Sequence, residues 1–176
     1  MSTPKRKTIA KSLAIIAFVG LLVCLIIPIR KAQVDAESQY RDLYIYTQSA
    51  RTFFTPTVLA CNNLDTLAAR TLANLRTMPS PLGAVDAAMR ASGDVIGMAA
   101  TLDRTVNSCF FDLNAAADPG QLGLVSAASD FHDAYTAYSS FVLSPRGDLN
   151  NYPKTVKKLQ EDVAKTSSEL HSLIFK

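Results

Sequence analysis

An uncharged, strongly apolar run near the N-terminus constrains this chain more than any other feature. Residues 12–29 read SLAIIAFVGLLVCLIIPI and include no Asp, Glu, Lys or Arg. At a rise of about 1.5 Å per residue, a helix over this range is roughly 27 Å long, which is close to the hydrocarbon thickness of a bilayer. The run therefore predicts a single transmembrane helix.

Cations bracket the run. Lys11 precedes it, and Arg30 and Lys31 follow it. Long basic side chains at the ends of a membrane helix extend toward the two headgroup layers. These flanks favour an anchor that stays in the membrane.

Two other interpretations compete with the uncleaved anchor. A cleaved signal peptide needs small residues at its cleavage site, and Val34-Asp35-Ala36 is the nearest candidate. A lipoprotein site at Cys24 needs a small residue before the cysteine, but Val23 stands there. Both alternatives fit the sequence less well than the anchor.

The charges are distributed unevenly along the chain. Four of the 18 Lys and Arg residues lie in positions 1–11, whereas all 15 Asp and Glu residues follow the apolar run. The basic tail predicts contact with anionic lipid, and the near-neutral remainder gives no nucleic-acid footprint. The positive-inside rule then places the N-terminus in the cytoplasm and the domain outside it, in the periplasm or at the cell surface. The chain divides into a basic tail (1–11), a membrane helix (12–29) and an extramembrane domain (30–176).

Apolar residues in the domain recur at spacings of three and four, without the alternation typical of strands. This pattern predicts an all-α fold, with the membrane helix followed by an antiparallel bundle of four to five helices. A capping residue followed by a proline predicts a break between helices at Thr55-Pro56, Ser80-Pro81 and Asp118-Pro119. The predicted segments are 33–54, 56–78, 81–110, 120–143 and 153–175.

Two glycines, Gly93 and Gly97, lie one turn apart within the third predicted segment. Glycine lowers helix propensity by about 1 kcal/mol per residue relative to alanine, so a compensating feature is expected. We expect a neighbouring backbone to pack closely there. A local kink is the alternative.

Aromatic residues crowd the helix that follows the apolar run. Tyr40, Tyr44, Tyr46 and Phe53 make an apolar surface wider than one core-facing stripe. Such a surface predicts a protein partner near the membrane, with ordinary core packing as the alternative.

Cys61 and Cys109 each fall on an apolar helix face. In an exported domain they are candidates for a disulfide. Two buried thiols that pack as small apolar groups are the other interpretation.

The residues offer little catalytic chemistry. His132 and His171 are the two histidines, and the stretch from Asp130 to Asp133 is typical of a solvated helix face. A di-metal bundle would need a carboxylate three residues before each histidine, but Ser129 and Ser168 stand there. The chain also has no haem-attachment, phosphate-loop or nucleophile-elbow motif. We therefore predict no metal, no cofactor and no enzymatic activity.

Two stretches resemble the LemA family of membrane-anchored bacterial helical proteins. Residues 48–59, QSARTFFTPTVL, are similar to that family's Gln-x-x-Arg-x-x-Leu-Ile-Pro-x-Leu-Val motif, and Tyr152-Pro153, Leu159-Gln160 and Glu169 resemble a second. The family's Tyr-x-x-His-Glu has no counterpart in residues 62–68. The resemblance implies a membrane-anchored antiparallel helical bundle and no particular reaction.

Together these features predict a non-enzymatic accessory protein. Its helical bundle would be anchored in the bilayer and would dock onto other membrane or envelope proteins. The alternative is an extracytoplasmic sensory bundle that binds a small ligand.

Overall fold

The computed structural model describes residues 4–117 and 121–175, with side chains from Arg30 onward except at the gap between the two ranges. Five α-helices form the described chain. They are α1 (Pro4–Thr77), α2 (Pro81–Arg90), α3 (Gly93–Ala115), α4 (Leu122–Leu143) and α5 (Tyr152–Ile174), with a short 3-10 helix at Leu149–Asn151 before α5. The all-α prediction is confirmed for these residues.

The chain divides into two compact units, residues 1–44 and residues 45–176. In the first unit, every side chain from Arg30 to Tyr44 is exposed. Within the part of the chain whose placement is described, no helix is both long and apolar enough to cross a bilayer. The predicted anchor at 12–29 lies outside the residues whose side chains are described, and so does its flank Lys11.

The second unit is a helical bundle whose chain directions follow from its contacts. Phe53 of α1 meets Phe110 of α3, while Arg70 further along α1 bonds to Ser92 before α3, so these helices run antiparallel. In α4, His132 bonds to Asn107 of α3 and the later Tyr135 bonds to the earlier Asp103, so α3 and α4 are also antiparallel. Helix α5 returns antiparallel to α4 after the turn at 144–151. The four long segments therefore alternate in direction, with α2 as a short connecting helix.

The core seam of α1 is formed by side chains at alternating spacings of four and three. Such spacing places all of them on one face of a helix. Thr57 and Thr71 occupy seam positions because each hydroxyl donates to the carbonyl four residues earlier, Phe53 O at 2.7 Å and Leu67 O at 3.0 Å. The buried members are Tyr46, Ala50, Phe53, Thr57, Ala60, Leu64, Leu67 and Thr71.

The predicted break at Thr55-Pro56 is wrong, because α1 continues through Pro56. A proline inside a helix costs about 3 kcal/mol through its lost hydrogen bond and ring clash. Phe53 and Ala60, on the two sides of the proline, are both fully buried in the core. Packing of this face offsets the local cost and keeps the helix intact.

The predicted segment 81–110 is instead two helices, separated at Ala91–Ser92. Arg70 supplies donors at this break, since its Nη1 reaches Ala91 O at 3.2 Å and Ser92 Oγ at 2.8 Å. A Cβ added at Gly93 or Gly97 would meet nothing within 4 Å. The expected close packing at these glycines is therefore wrong. The helix break lies just before Gly93, and Gly97 lies within α3.

The other boundaries follow local signals. Ser80 caps α2 by accepting from Gly83 N at 3.2 Å, as its place before Pro81 predicts. Asp148 caps the 3-10 helix through Asn150 N, and Gly147 before it takes φ +91°, which favours glycine. The predicted cap at Asp118-Pro119 lies outside the described residues.

Candidate functional site

The four aromatic residues predicted to face a partner fall into two groups. Tyr40 and Tyr44 are 75% and 66% exposed, whereas Tyr46 and Phe53 are 1% and 0% exposed. Tyr46 and Phe53 belong to the core seam, so their assignment to a partner surface is wrong. Core packing, which was the alternative, accounts for them.

The exposed group lies on a helical stretch with no buried position, from Arg30 to Ile45. Ala36, Tyr40 and Tyr44 are four residues apart and therefore share one face of this stretch. Asp35 and Asp42 lie on the opposite side. The face with Ala36, Tyr40 and Tyr44 is apolar and uncovered.

The two candidate disulfide cysteines are both free thiols in the structure. Cys61 is buried, and its burial, with the nearby Asp65 carboxylate, raises its pKa to about 12. Burial, followed by the charge of Asp112, also raises the pKa of Cys109. Both groups favour the protonated thiol, which packs as a small apolar side chain.

A polar cluster lies where α1, α4 and α5 meet. The Tyr138 hydroxyl donates to Asp65 Oδ1 at 2.6 Å, and the Gln160 side-chain amide donates to the same oxygen at 2.8 Å. The Gln160 amide also lies 3.2 Å from the Tyr138 hydroxyl oxygen. Burial and the adjacent Asp65 carboxylate raise the pKa of Tyr138, which keeps its proton and stays a donor.

This cluster forms one side of a groove of about 160 Å³. Val58, Phe131 and Val163 are apolar members of its lining, and Asn62 and Ser167 are polar members. We refer to this cavity as the Asp65 groove.

A second polar chain joins α3 to α4. The Tyr135 hydroxyl donates to Asp103 Oδ1 at 3.0 Å, and the Asn107 amide donates to Asp103 Oδ2 at 3.2 Å. Because that amide group donates to Asp103, the Asn107 oxygen is left to accept from His132 Nε2 at 2.9 Å. Tyr135 has a raised pKa because it is buried beside the Asp103 carboxylate.

The charged neighbours of His132 predict a solvated helix face, but the contacts of His132 show that its ring is packed inside the bundle. Its ring stacks on Phe110 with centroids 3.9 Å apart and planes within 5°, and it lies 6.3 Å from the Phe53 ring. Burial lowers its pKa, and the charges of Asp133 and Asp103 oppose that shift without overcoming it. The exposed neighbours Asp130 and Asp133 do fit the prediction.

Arg51 connects α1 to the end of α5. Its Nη2 donates to Ile174 O at 3.2 Å, and its guanidinium carbon lies 4.9 Å from the centre of the Phe175 ring. A cation at a helix C-terminus satisfies a carbonyl and offsets the helix dipole. Arg51 therefore stabilises the end of the bundle.

Among the described residues, no three His, Cys, Asp or Glu side chains come together as a metal site. The polar clusters each hold a single carboxylate hydrogen-bonded to a tyrosine. Sequence reasoning missed both clusters, because their members are far apart along the chain. A carboxylate facing a helix seam, as Asp65 and Asp103 do, was the one available signal.

Comparison with known proteins gives no match to a family model, to a curated protein or to a solved structure. The resemblance to the LemA family stays a prediction.

Proposed function

We propose that this chain is a membrane-anchored accessory protein without enzymatic activity. In this proposal, the apolar run at 12–29 holds the chain in the bilayer, and the domain lies outside the cytoplasm. The exposed stretch from Arg30 to Ile45 docks onto another membrane or envelope protein. The bundle of residues 45–176 presents no metal cluster among its described residues.

The uncovered apolar face at Tyr40 and Tyr44 carries the proposal. These side chains are 75% and 66% exposed, on a stretch where every position is exposed. In the part of the chain that the structure describes, no tertiary packing buries this stretch of α1, so a partner that covers the apolar face would add the packing from which most helical stability in proteins comes. Tyrosines are also enriched among the residues that dominate binding energy at interfaces.

Photo-crosslinking in intact cells tests the docking face. A photoreactive phenylalanine analogue is placed at Tyr40 or Tyr44, and at Asp42 as the matched control on the opposite face of the same helix. We expect one heteromeric adduct from positions 40 and 44 and none from position 42. The adduct from position 40 should be lost when Tyr44→Asp is added.

Other results would contradict the proposal. Equal crosslinking from all three positions would show that the face has no specificity. Adducts with lipid alone, or with a second copy of this chain alone, would contradict docking onto another membrane or envelope protein. The side of the membrane is tested separately, by labelling Ser144→Cys with an impermeant maleimide in a variant whose native cysteines are alanines. Labelling in intact cells is expected.

The Asp65 groove favours a second candidate function, that of a small-ligand-binding bundle. A half-buried carboxylate beside an apolar wall, between three helices, is the kind of cavity that such a protein needs. Binding of a small molecule there is compatible with docking through a different part of the chain.

A further inference from the structure

The Asp65 groove holds a negative charge that the protein itself does not neutralise. Among the described residues, no Lys or Arg forms an ion pair with Asp65. Its two donors, Tyr138 and Gln160, are neutral and both reach Oδ1. These bonds hold the carboxylate in place on the lining of the groove.

The apolar part of the lining limits the shape of any occupant. Val58, Phe131 and Val163 are apolar, and Phe131 is fully buried. The cavity of about 160 Å³ is close to the roughly 150 Å³ that accommodates benzene in an engineered protein core. An occupant therefore has about six to eight non-hydrogen atoms, with one charged end and one apolar end.

We propose that the Asp65 groove binds a small organic ammonium ion. The ammonium group would donate to the Asp65 carboxylate, which lines the groove together with Asn62. The hydrocarbon part would lie against the apolar lining residues Val58, Phe131 and Val163. An anion is disfavoured by Asp65, and a single carboxylate provides too few ligands for a divalent metal.

A larger cavity of about 570 Å³ near the end of α4 does not share this character. Its lining includes Phe141 and Arg146, and Arg146 is an exposed cation. Its described lining residues include no carboxylate. The chemistry of a specific cation site is therefore found at Asp65.

Benzylamine is a suitable probe because it has the required size, charge and apolar ring. The full chain, purified in nonionic detergent and labelled with 13C at alanine methyl groups, is titrated with benzylamine and followed by NMR. We expect a saturable shift of the Ala164 methyl, which lines the groove, and no saturable shift at Ala100 on α3. Benzyl alcohol, the uncharged analogue, is expected to bind at least about tenfold more weakly.

The matched variants are Asp65→Asn and Asp103→Asn. Each removes one carboxylate charge from a tyrosine–carboxylate pair, but Asp65 alone of the two lines the groove. We expect Asp65→Asn to weaken benzylamine binding at least about tenfold and Asp103→Asn to leave it within about twofold. Thermal unfolding of each variant checks that the fold is retained.

Two results would overturn the proposal. One is the absence of a saturable Ala164 shift in the wild-type chain. The other is equal affinity for benzylamine and benzyl alcohol, with no loss in Asp65→Asn, which would show a purely apolar site. Neither result bears on docking through Tyr40 and Tyr44, because this titration uses the purified chain without a partner.

Discussion

Two stretches of α1 have similar aromatic content and opposite surroundings. From Arg30 to Ile45 every residue is exposed, whereas from Tyr46 to Thr71 a side chain is buried at every third or fourth position. Tyr44 and Tyr46 are two residues apart and differ in exposure from 66% to 1%. Aromatic content therefore does not identify a binding surface. Whether an aromatic side chain of α1 is exposed or buried depends on whether other helices pack against it.

The difference also separates two roles within one helix. Phe53 lies within 5.4 Å of Phe110 and 6.0 Å of Phe131, measured between ring centroids, so it joins α1 to α3 and α4. Burying such a ring stabilises the fold by about 1.5–3 kcal/mol. Tyr40 makes no comparable contribution to the fold. Substitutions in the two stretches should therefore affect different measurements.

The largest expected effect comes from truncating one aromatic in each stretch. Phe53→Ala should lower the free energy of unfolding by about 3–5 kcal/mol, because it leaves a cavity among three helices. Tyr40→Ala should change it by less than about 0.5 kcal/mol, as is usual for exposed sites. Urea unfolding of both variants, followed by circular dichroism, measures the difference. A loss above about 2 kcal/mol for Tyr40→Ala would show that the exposed stretch is part of the cooperative fold.

The second prediction concerns two buried tyrosines whose hydroxyls differ. The Tyr138 hydroxyl donates to the Asp65 carboxylate, whereas the Tyr46 hydroxyl is buried and has no hydrogen-bond partner among the described residues. Tyr138→Phe should destabilise the protein by about 1.5–3 kcal/mol, the usual value for a bond to a charged group. Tyr46→Phe should be neutral or stabilising by up to about 1 kcal/mol.

The same unfolding assay tests this pair. Each change removes one oxygen and keeps the ring, so packing is matched between the variants. If Tyr46→Phe were as destabilising as Tyr138→Phe, the Tyr46 hydroxyl would need a partner. Because Tyr46 is the first buried residue of the seam, such a partner would mean that the packed part of α1 begins before Tyr46.

The all-α class and most core positions of α4 and α5 follow from the spacing of apolar residues alone. In α4, the spacing of four and three from Leu124 to Val142 predicts a core stripe. Its first member, Leu124, is half-buried, and the buried members are Ala128, Phe131, Tyr135, Tyr138 and Val142. The seam of α1 was predicted less well, since Thr57 and Thr71 are polar by composition and are buried only because their hydroxyls bond to the helix's own backbone.

The polar clusters and the continuous course of α1 required tertiary information. Pro56 predicts a break from local chemistry, and core packing on both sides of it prevents that break. Asp65, Tyr138 and Gln160 come together from three helices. Tyr138 is 73 positions from Asp65 along the chain, and Gln160 is 95 positions from it. No local pattern encodes such an encounter. The apolar spacing does predict that Tyr138 is a core position of α4, but it does not predict which carboxylate its hydroxyl meets.

The smallest expected effect is a pH dependence that reports on the buried stretch alone. His132 lies against Phe53 and Phe110, bonds to Asn107, and has a pKa lowered mainly by burial. A histidine whose pKa is lower in the folded state takes up its proton first in the unfolded chain. The free energy of unfolding should therefore fall as the pH drops below about 6.5 and should level off below the folded pKa.

His132→Gln isolates this contribution, because glutamine can still bond to Asn107 and does not titrate. The melting temperature of the wild type should decline more between pH 7.5 and pH 5.5 than that of the variant. Asp133→Asn should steepen the wild-type decline slightly, since the Asp133 carboxylate lies 3.9 Å from His132 Nδ1 and raises its pKa. That increment is small because the Asp133 side chain is 80% exposed and its charge is screened by water. If the wild type and His132→Gln declined in parallel, His132 would be solvated in both states, and the seam at Phe53 would be more open than its contacts indicate.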